Sequence, residues 1–276
     1  MIEPVLYVKW QIEPVLIGGI FTLLVVYFLS VGPLRSRMAP KGTPFPVKQA
    51  SWFAFTMLFL FLNEGSPLHD LAERYLLSAH MVQHFLLVYV VAPLMIWSTP
   101  KWFLSAFLEN KVMYPVMKYL LHPATTFLAF ALVMNIYHVP NVYNLALSNT
   151  SLHHSIHFIM LFTALMFWWP IMSPLKKLGR PSYMIQLAYL FLTPIAQLPM
   201  FAAVTFSDYV LYPVYENMPV RLFGMTPLQD QAFGGVIMNI SGQIAGLGPF
   251  VYIWFKYYRE ANQGEKPAEN VARDVV

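Results

Sequence analysis

The chain has 276 residues, of which 58% are apolar and only 11% charged, less than half the charged share of a soluble domain. Such a chain cannot cover a core with water-facing side chains, and its 22 Phe, 16 Tyr and 7 Trp exclude a disordered, solvating composition. No cysteine is present, which excludes disulfides, thiolate metal sites, iron–sulfur clusters and covalent c-type haem. A membrane-spanning helix needs about 20 mostly apolar residues. Seven stretches qualify in chain order: Ile12–Val31, Ala50–Asn63 (extended backwards through Phe45), Tyr75–Thr99, Leu121–Val139, Leu152–Met172, Tyr183–Val204 and Gln231–Tyr258. Connections are short except Thr205–Asp230. Residues 1–260 read as one all-α, seven-helix membrane domain, and residues 261–276 as a polar tail. The amino terminus sets Glu3 and Glu13 around Lys9 and lacks the basic region and small-residue cleavage site of a signal peptide. The first span is therefore expected to stay in the mature protein.

The Lys and Arg residues number 17, and counted connection by connection they fall 14 on one side and three, Lys9, Arg74 and Arg221, on the other. The positive-inside rule places the amino terminus outside and the carboxyl terminus in the cytoplasm of a multi-pass cell-membrane protein. The net charge of +4 is then a topology signal. No nucleic-acid partner is expected; lipid is the immediate one.

Ionisable groups inside a bilayer are costly and are read first as functional. Histidines dominate here. His80 and His84 lie one turn apart near the outer end of the third span, and His153 and His157 one turn apart near the outer end of the fifth. Residues at i and i+4 share a helix face, a spacing that lets two imidazoles ligate one ion. Both spans run inward, so the pairs lie at similar depth, and His138 closes the fourth span on the same side. His69, His122 and His154 read as interfacial residues that meet water. Asp230 and Gln231 open the seventh span at the same edge. The Asp230 carboxylate is a candidate ligand, a hydrogen-bond acceptor that fixes an imidazole tautomer, or a helix cap. Gly242 and Gly246 form a G-x-x-x-G suited to close helix packing within the bundle or in a homodimer. Prolines 194 and 199 could break the sixth span.

Imidazole and thioether are the donors available, because no carboxylate beside the histidine pairs is evident except Asp230. Imidazole suits Zn, Cu, Fe and Ni, and thioether favours Cu(I); Met81, Met134, Met160 and Met238 fall in the spans. Copper leads, with zinc as the alternative. A b-type haem between facing histidines is a third reading, though it uses only two of them. One or two ions are accommodated.

The blocks AHMVQHFLLVYVVAPLM, YHVPNVYNLAL, HHSIHFIMLFTALMFWWPI and DQAFGGVIM resemble the signature blocks of the multi-spanning CtaG-type cytochrome c oxidase assembly factors, from the third span to the seventh. After the glycine pair the chain reads MNISGQIAG, where that family often carries a tryptophan-containing stretch. His80, His84, His138, His153, His157 and Asp230 match the family's recurring polar positions; His154 does not. The resemblance implies a role in maturing the copper centre of the catalytic subunit of a haem–copper oxidase, with that subunit as partner, and raises copper above zinc. A metallochaperone is expected rather than an enzyme. A copper or zinc transporter is the alternative.

Overall fold

The computed structural model describes residues 7–217 and 221–263. Among these the chain is helical, with no strand. The principal helices are α1 (Pro14–Val31), α2 (Val47–Gly65), α3 (Pro67–Arg74), α4 (Leu77–Trp97), α5 (Lys101–Leu108), α6 (Met113–Leu120), α7 (Pro123–Tyr137), α8 (Pro140–Ser148), α9 (Thr150–Met172), α10 (Tyr183–Phe206) and α11 (Pro227–Gln263). Proline stands in the first turn of α1, α3, α7 and α8, where its missing N–H has no intrahelical partner to lose and its φ is already helical. Of the expected polar tail, residues 264–276 lie outside the described residues; α11 itself continues to Gln263.

Among the described residues five helices are long and apolar enough to cross a bilayer: α1, α4, α9, α10 and α11. A sixth forms if α6 and α7 are one span, bent by 64°. The expected fourth span, Leu121–Val139, is thus shorter than its apolar run. Pro123 starts a new helix, and the 15 residues of α7 reach about 22 Å at 1.5 Å per residue, against a hydrocarbon layer of about 30 Å. The expected second span is α2, of 19 residues, with Lys48 and Gln49 at one end and Asn63 and Glu64 at the other. Those ends dilute its apolar content.

The surface is largely apolar, and a cluster of polar side chains is enclosed within the apolar core. Phe21, Leu128, Phe158 and Phe191 are all more than half exposed, while His80, His84, His138, His153, His157, Asn63 and Gln83 are buried. That arrangement suits a lipid surround. Helix α4 carries a π turn at Leu87–Val91. In a π turn the carbonyl of Val88 would meet the N–H of residue 93, which is proline and has none; the Trp168 indole of α9 donates to it instead at 2.8 Å. Helix α10 runs unbroken through Pro194 and Pro199, so these prolines do not interrupt the span.

Helix α11 wedges between α4 and α10. A Cβ added at Gly235 would stand 3.0 Å from the Thr205 backbone nitrogen of α10, and one at Gly234 3.4 Å from the Ser78 nitrogen of α4. The Gly242/Gly246 pair makes no comparable seam, since Gly246 faces open space. Helices α2 and α7 end, and α4, α9 and α11 begin, at one end of the bundle. Lys9, Arg74 and Arg221 lie at that end, and the other Lys and Arg among the described residues at the opposite one. Every histidine except His122 gathers at the first end, where Tyr212 and Tyr215, from the described part of the connection between α10 and α11, are also buried.

Candidate metal centre

Helix α4 brings His80 and His84 onto one face, their ring centroids 4.2 Å apart. Helix α9 does the same with His153 and His157 at 4.3 Å. The two faces meet, but not as a square of four. Among the described residues two groups offer ligand atoms within 4.8 Å of one another: His80, His84 and His157, and separately His69, Glu73 and His153.

In the first group the Nε2 atoms of His84 and His157 face each other at 3.4 Å. His157 Nδ1 lies 2.8 Å from the Glu64 carboxylate at the end of α2, so Nδ1 carries the proton and Nε2 presents its lone pair to the cluster. This carboxylate–imidazole pairing orients a metal ligand and raises its basicity. Asn63 Nδ2 donates to the other Glu64 oxygen at 2.8 Å, holding the carboxylate in place. His138, at the end of α7, donates from Nδ1 to the Met134 carbonyl at 2.7 Å. Its Nε2 is buried and has no hydrogen-bond partner, and its ring centroid is 5.4 Å from that of His84. The Nδ1 atoms of His80 and His84 are likewise buried and unpartnered; His80 Nε2 meets the Tyr137 hydroxyl at 3.3 Å. Met81, Met134 and Met238 line a small cavity together with His84 and Gln197. Met160, one turn beyond His157 on α9, is buried as well.

In the second group, helix α3 carries His69 and Glu73 one turn apart. Glu73 Oε1 is 3.2 Å from His69 Nε2 and 3.1 Å from His153 Nε2. The latter contact lacks hydrogen-bond geometry, and both His153 nitrogens are buried and unpartnered. Gln83 Nε2 donates to the Asn63 carbonyl at 2.6 Å and lies 2.7 Å from His69 Nδ1. Burial alone would push the Glu73 carboxyl up; the adjacent His69, with His153 and His157 behind it, outweighs burial and holds it well below the usual carboxylate range.

Asp230 is not brought to the cluster. Helix α4 begins at Leu76, whose side chain cannot cap, and Asp230 reaches across from α11 to do so. Its oxygens accept from the backbone N–H groups of Leu77 at 2.7 Å and Ser78 at 3.3 Å, and from the Ser78 hydroxyl. Both carboxylate oxygens are engaged there, where they also meet the positive end of the helix dipole. Asp230 thus fixes the start of the helix that carries His80.

The model of the cytochrome c oxidase caa3 assembly factor family, Caa3_CtaG, matches residues 25–260, most of the chain. The chain belongs to this family. No curated protein and no solved structure matches it. As a Caa3_CtaG member it is an oxidase assembly factor whose buried histidines converge at one end of the bundle. Sequence reasoning found the four paired histidines and His138 and missed Glu64, His69 and Glu73. The statement that no carboxylate but Asp230 stands beside the histidines is corrected: Glu64 and Glu73 do, and Asp230 does not. A signal for the second group existed. His69 and Glu73 share i,i+4 spacing on the segment PLHDLAER, whose buried face is His69, Asp70 and Ala72. Glu64 carried no such signal, since its partner is 93 residues away.

Proposed function

We propose that this assembly factor holds copper as cargo at His80, His84 and His157, with His138 beside them, and passes it toward the copper centre of the oxidase catalytic subunit. The observation that carries this reading is the set of buried imidazole nitrogens without partners. Leaving a buried polar atom unpaired costs about 1–3 kcal/mol, and several in one place point to an external partner. The donor set fits copper. Imidazoles without thiolate, beside a methionine-lined cavity, suit Cu(I) and bind more weakly than a cysteine trap, so release is feasible. Of the expected ligands, His153 is turned toward Glu73 and Asp230 serves α4, so neither belongs to this set.

A carrier rather than a catalyst is proposed on grounds different from those read in the sequence. Carboxylates are present, but both Glu64 oxygens are engaged, by His157 and Asn63, which makes that group an orienting partner rather than a free general base. Seven crossings of the cell membrane, amino terminus outside, are proposed from the 14-to-3 division of Lys and Arg. The histidine end then faces the extracytoplasmic side. Single cysteines at Lys9 and Lys177, in a chain that has none of its own, test this: only the first should be labelled from outside intact cells.

The copper reading is tested with the purified full chain. It should bind one Cu(I) that is lost in the double variant His80→Ala, His84→Ala. A strain lacking the protein should still make the oxidase polypeptides but show little active oxidase. Unchanged copper content in the double variant excludes the cluster, and an intense Soret band in the purified protein favours haem.

A further inference from the structure

We propose that His69, Glu73 and His153 form a second metal site, for a divalent ion of borderline softness such as Zn2+, Co2+ or Cu2+, separate from the imidazole cluster. The proposal stands whether or not copper binds at His80, His84 and His157. Three observations carry it. One ligand atom from each residue already falls within 4.8 Å of the others, with Glu73 Oε1 between the two imidazoles at 3.2 and 3.1 Å. His153 is 1% exposed, and neither of its ring nitrogens has a hydrogen-bond partner. Glu73 is the accessible member, at 21%, so an ion can enter from the aqueous side and keep water in its remaining positions.

The donor chemistry separates this site from its neighbour. Two imidazoles and a carboxylate make a mixed N2O set that suits divalent borderline ions, whereas the inner cluster is imidazole with thioether nearby and suits Cu(I). The orienting partner also differs. Because the Gln83 amide nitrogen donates, His69 Nδ1 accepts and the proton sits on Nε2, facing Glu73. A metal takes the place of that proton. Nδ1 then carries it, and the Gln83 amide nitrogen gives up its contact with the ring while keeping its hydrogen bond to the Asn63 carbonyl.

The test is titration of the purified full chain with Co2+, read by its ligand-field absorption and by bound-metal analysis, with Cu(I) binding measured in parallel. Wild type should take up one Co2+ that is lost, or weakened at least tenfold, in Glu73→Gln and in His69→Ala. The same Co2+ should be retained in His84→Ala. Both outer variants should keep the wild-type thermal midpoint within a few degrees and their Cu(I) binding, which shows that they fold. Absence of Co2+ uptake by wild type, uptake unaffected by Glu73→Gln, or equal loss in His84→Ala overturns the second site. Loss of Cu(I) in His84→Ala with Co2+ unchanged would leave both centres standing as separate sites.

Discussion

The two ends of the bundle treat buried polar groups in opposite ways. Among the described residues, no fully buried side-chain polar atom at the basic end lacks a partner: Tyr27 donates to the Ser98 carbonyl at 2.9 Å, the Trp169 indole to the Leu178 carbonyl at 2.9 Å, and the Ser173 hydroxyl to the same carbonyl at 2.6 Å. At the histidine end, Asn63 Oδ1, Gln83 Oε1 and nitrogens of His80, His84, His138 and His153 are buried without one. Burial is similar at both ends, so the difference lies in what the groups are for. Hydrogen bonds at the basic end complete the fold. The open imidazole nitrogens form a reserve of donor atoms, with the Met134 carbonyl holding His138 from its other side and Glu64 holding the neighbouring His157.

The largest effect on stability should therefore come from the basic end. Trp169→Ala removes a buried indole and one of the two donors to the Leu178 carbonyl, a change expected to cost about 3–5 kcal/mol. The thermal midpoint should fall sharply, while the protein that remains folded binds the wild-type number of ions. A variant that loses metal in proportion to nothing but its own histidines would sharpen the contrast; a Trp169→Ala protein that is folded yet metal-poor would break it.

Glu64→Gln probes the support behind the reserve. The amide keeps the size of the side chain and one acceptor for His157 Nδ1–H, but it removes the negative charge that makes the imidazole a stronger donor. Loss of such a partner lowers metal affinity by about 10–100-fold, or about 1.4–2.8 kcal/mol. Competition titration against a chelator of known affinity reads this directly. The midpoint of thermal unfolding should move far less than in Trp169→Ala. If the two shifts are equal, Glu64 is a structural group like those at the other end.

The same contrast explains what could be read from the sequence. Apolar runs and the i,i+4 histidine pairs are local patterns, and they located the helices, the end of the bundle that matters and five of its histidines. The division of those histidines into two groups is not local. It depends on α3, an eight-residue helix too short to stand out by hydropathy, which inserts His69 and Glu73 beside His153. Glu64 was hidden for a related reason: it ends a helix whose apolar run appeared to stop at Asn63, so it looked like the first residue of a solvated turn. The Leu121–Val139 run misled in the other direction, because composition continues across Pro123 although the helix does not.

Asp230 offers the finest test, since sequence left it as ligand, acceptor or cap and the structure places it at the start of α4. In Asp230→Asn the side chain still accepts from the Leu77 N–H, but the charge that meets the helix dipole is lost. Such a charge contributes about 0.3–1 kcal/mol, so the unfolding midpoint should drop slightly. His80 lies three residues beyond Leu77, within the first turn of the helix that Asp230 fixes. Fraying of that turn would displace the His80 ring while leaving His84 and His157 in place, so metal affinity should weaken by no more than about tenfold, or 1.4 kcal/mol. A direct ligand behaves otherwise: replacing its carboxylate with an amide removes an anionic donor, and the ion should be lost with no change in the unfolding midpoint. Measuring both quantities on the one variant separates the two roles, and a lost ion with an unmoved midpoint would return Asp230 to the metal.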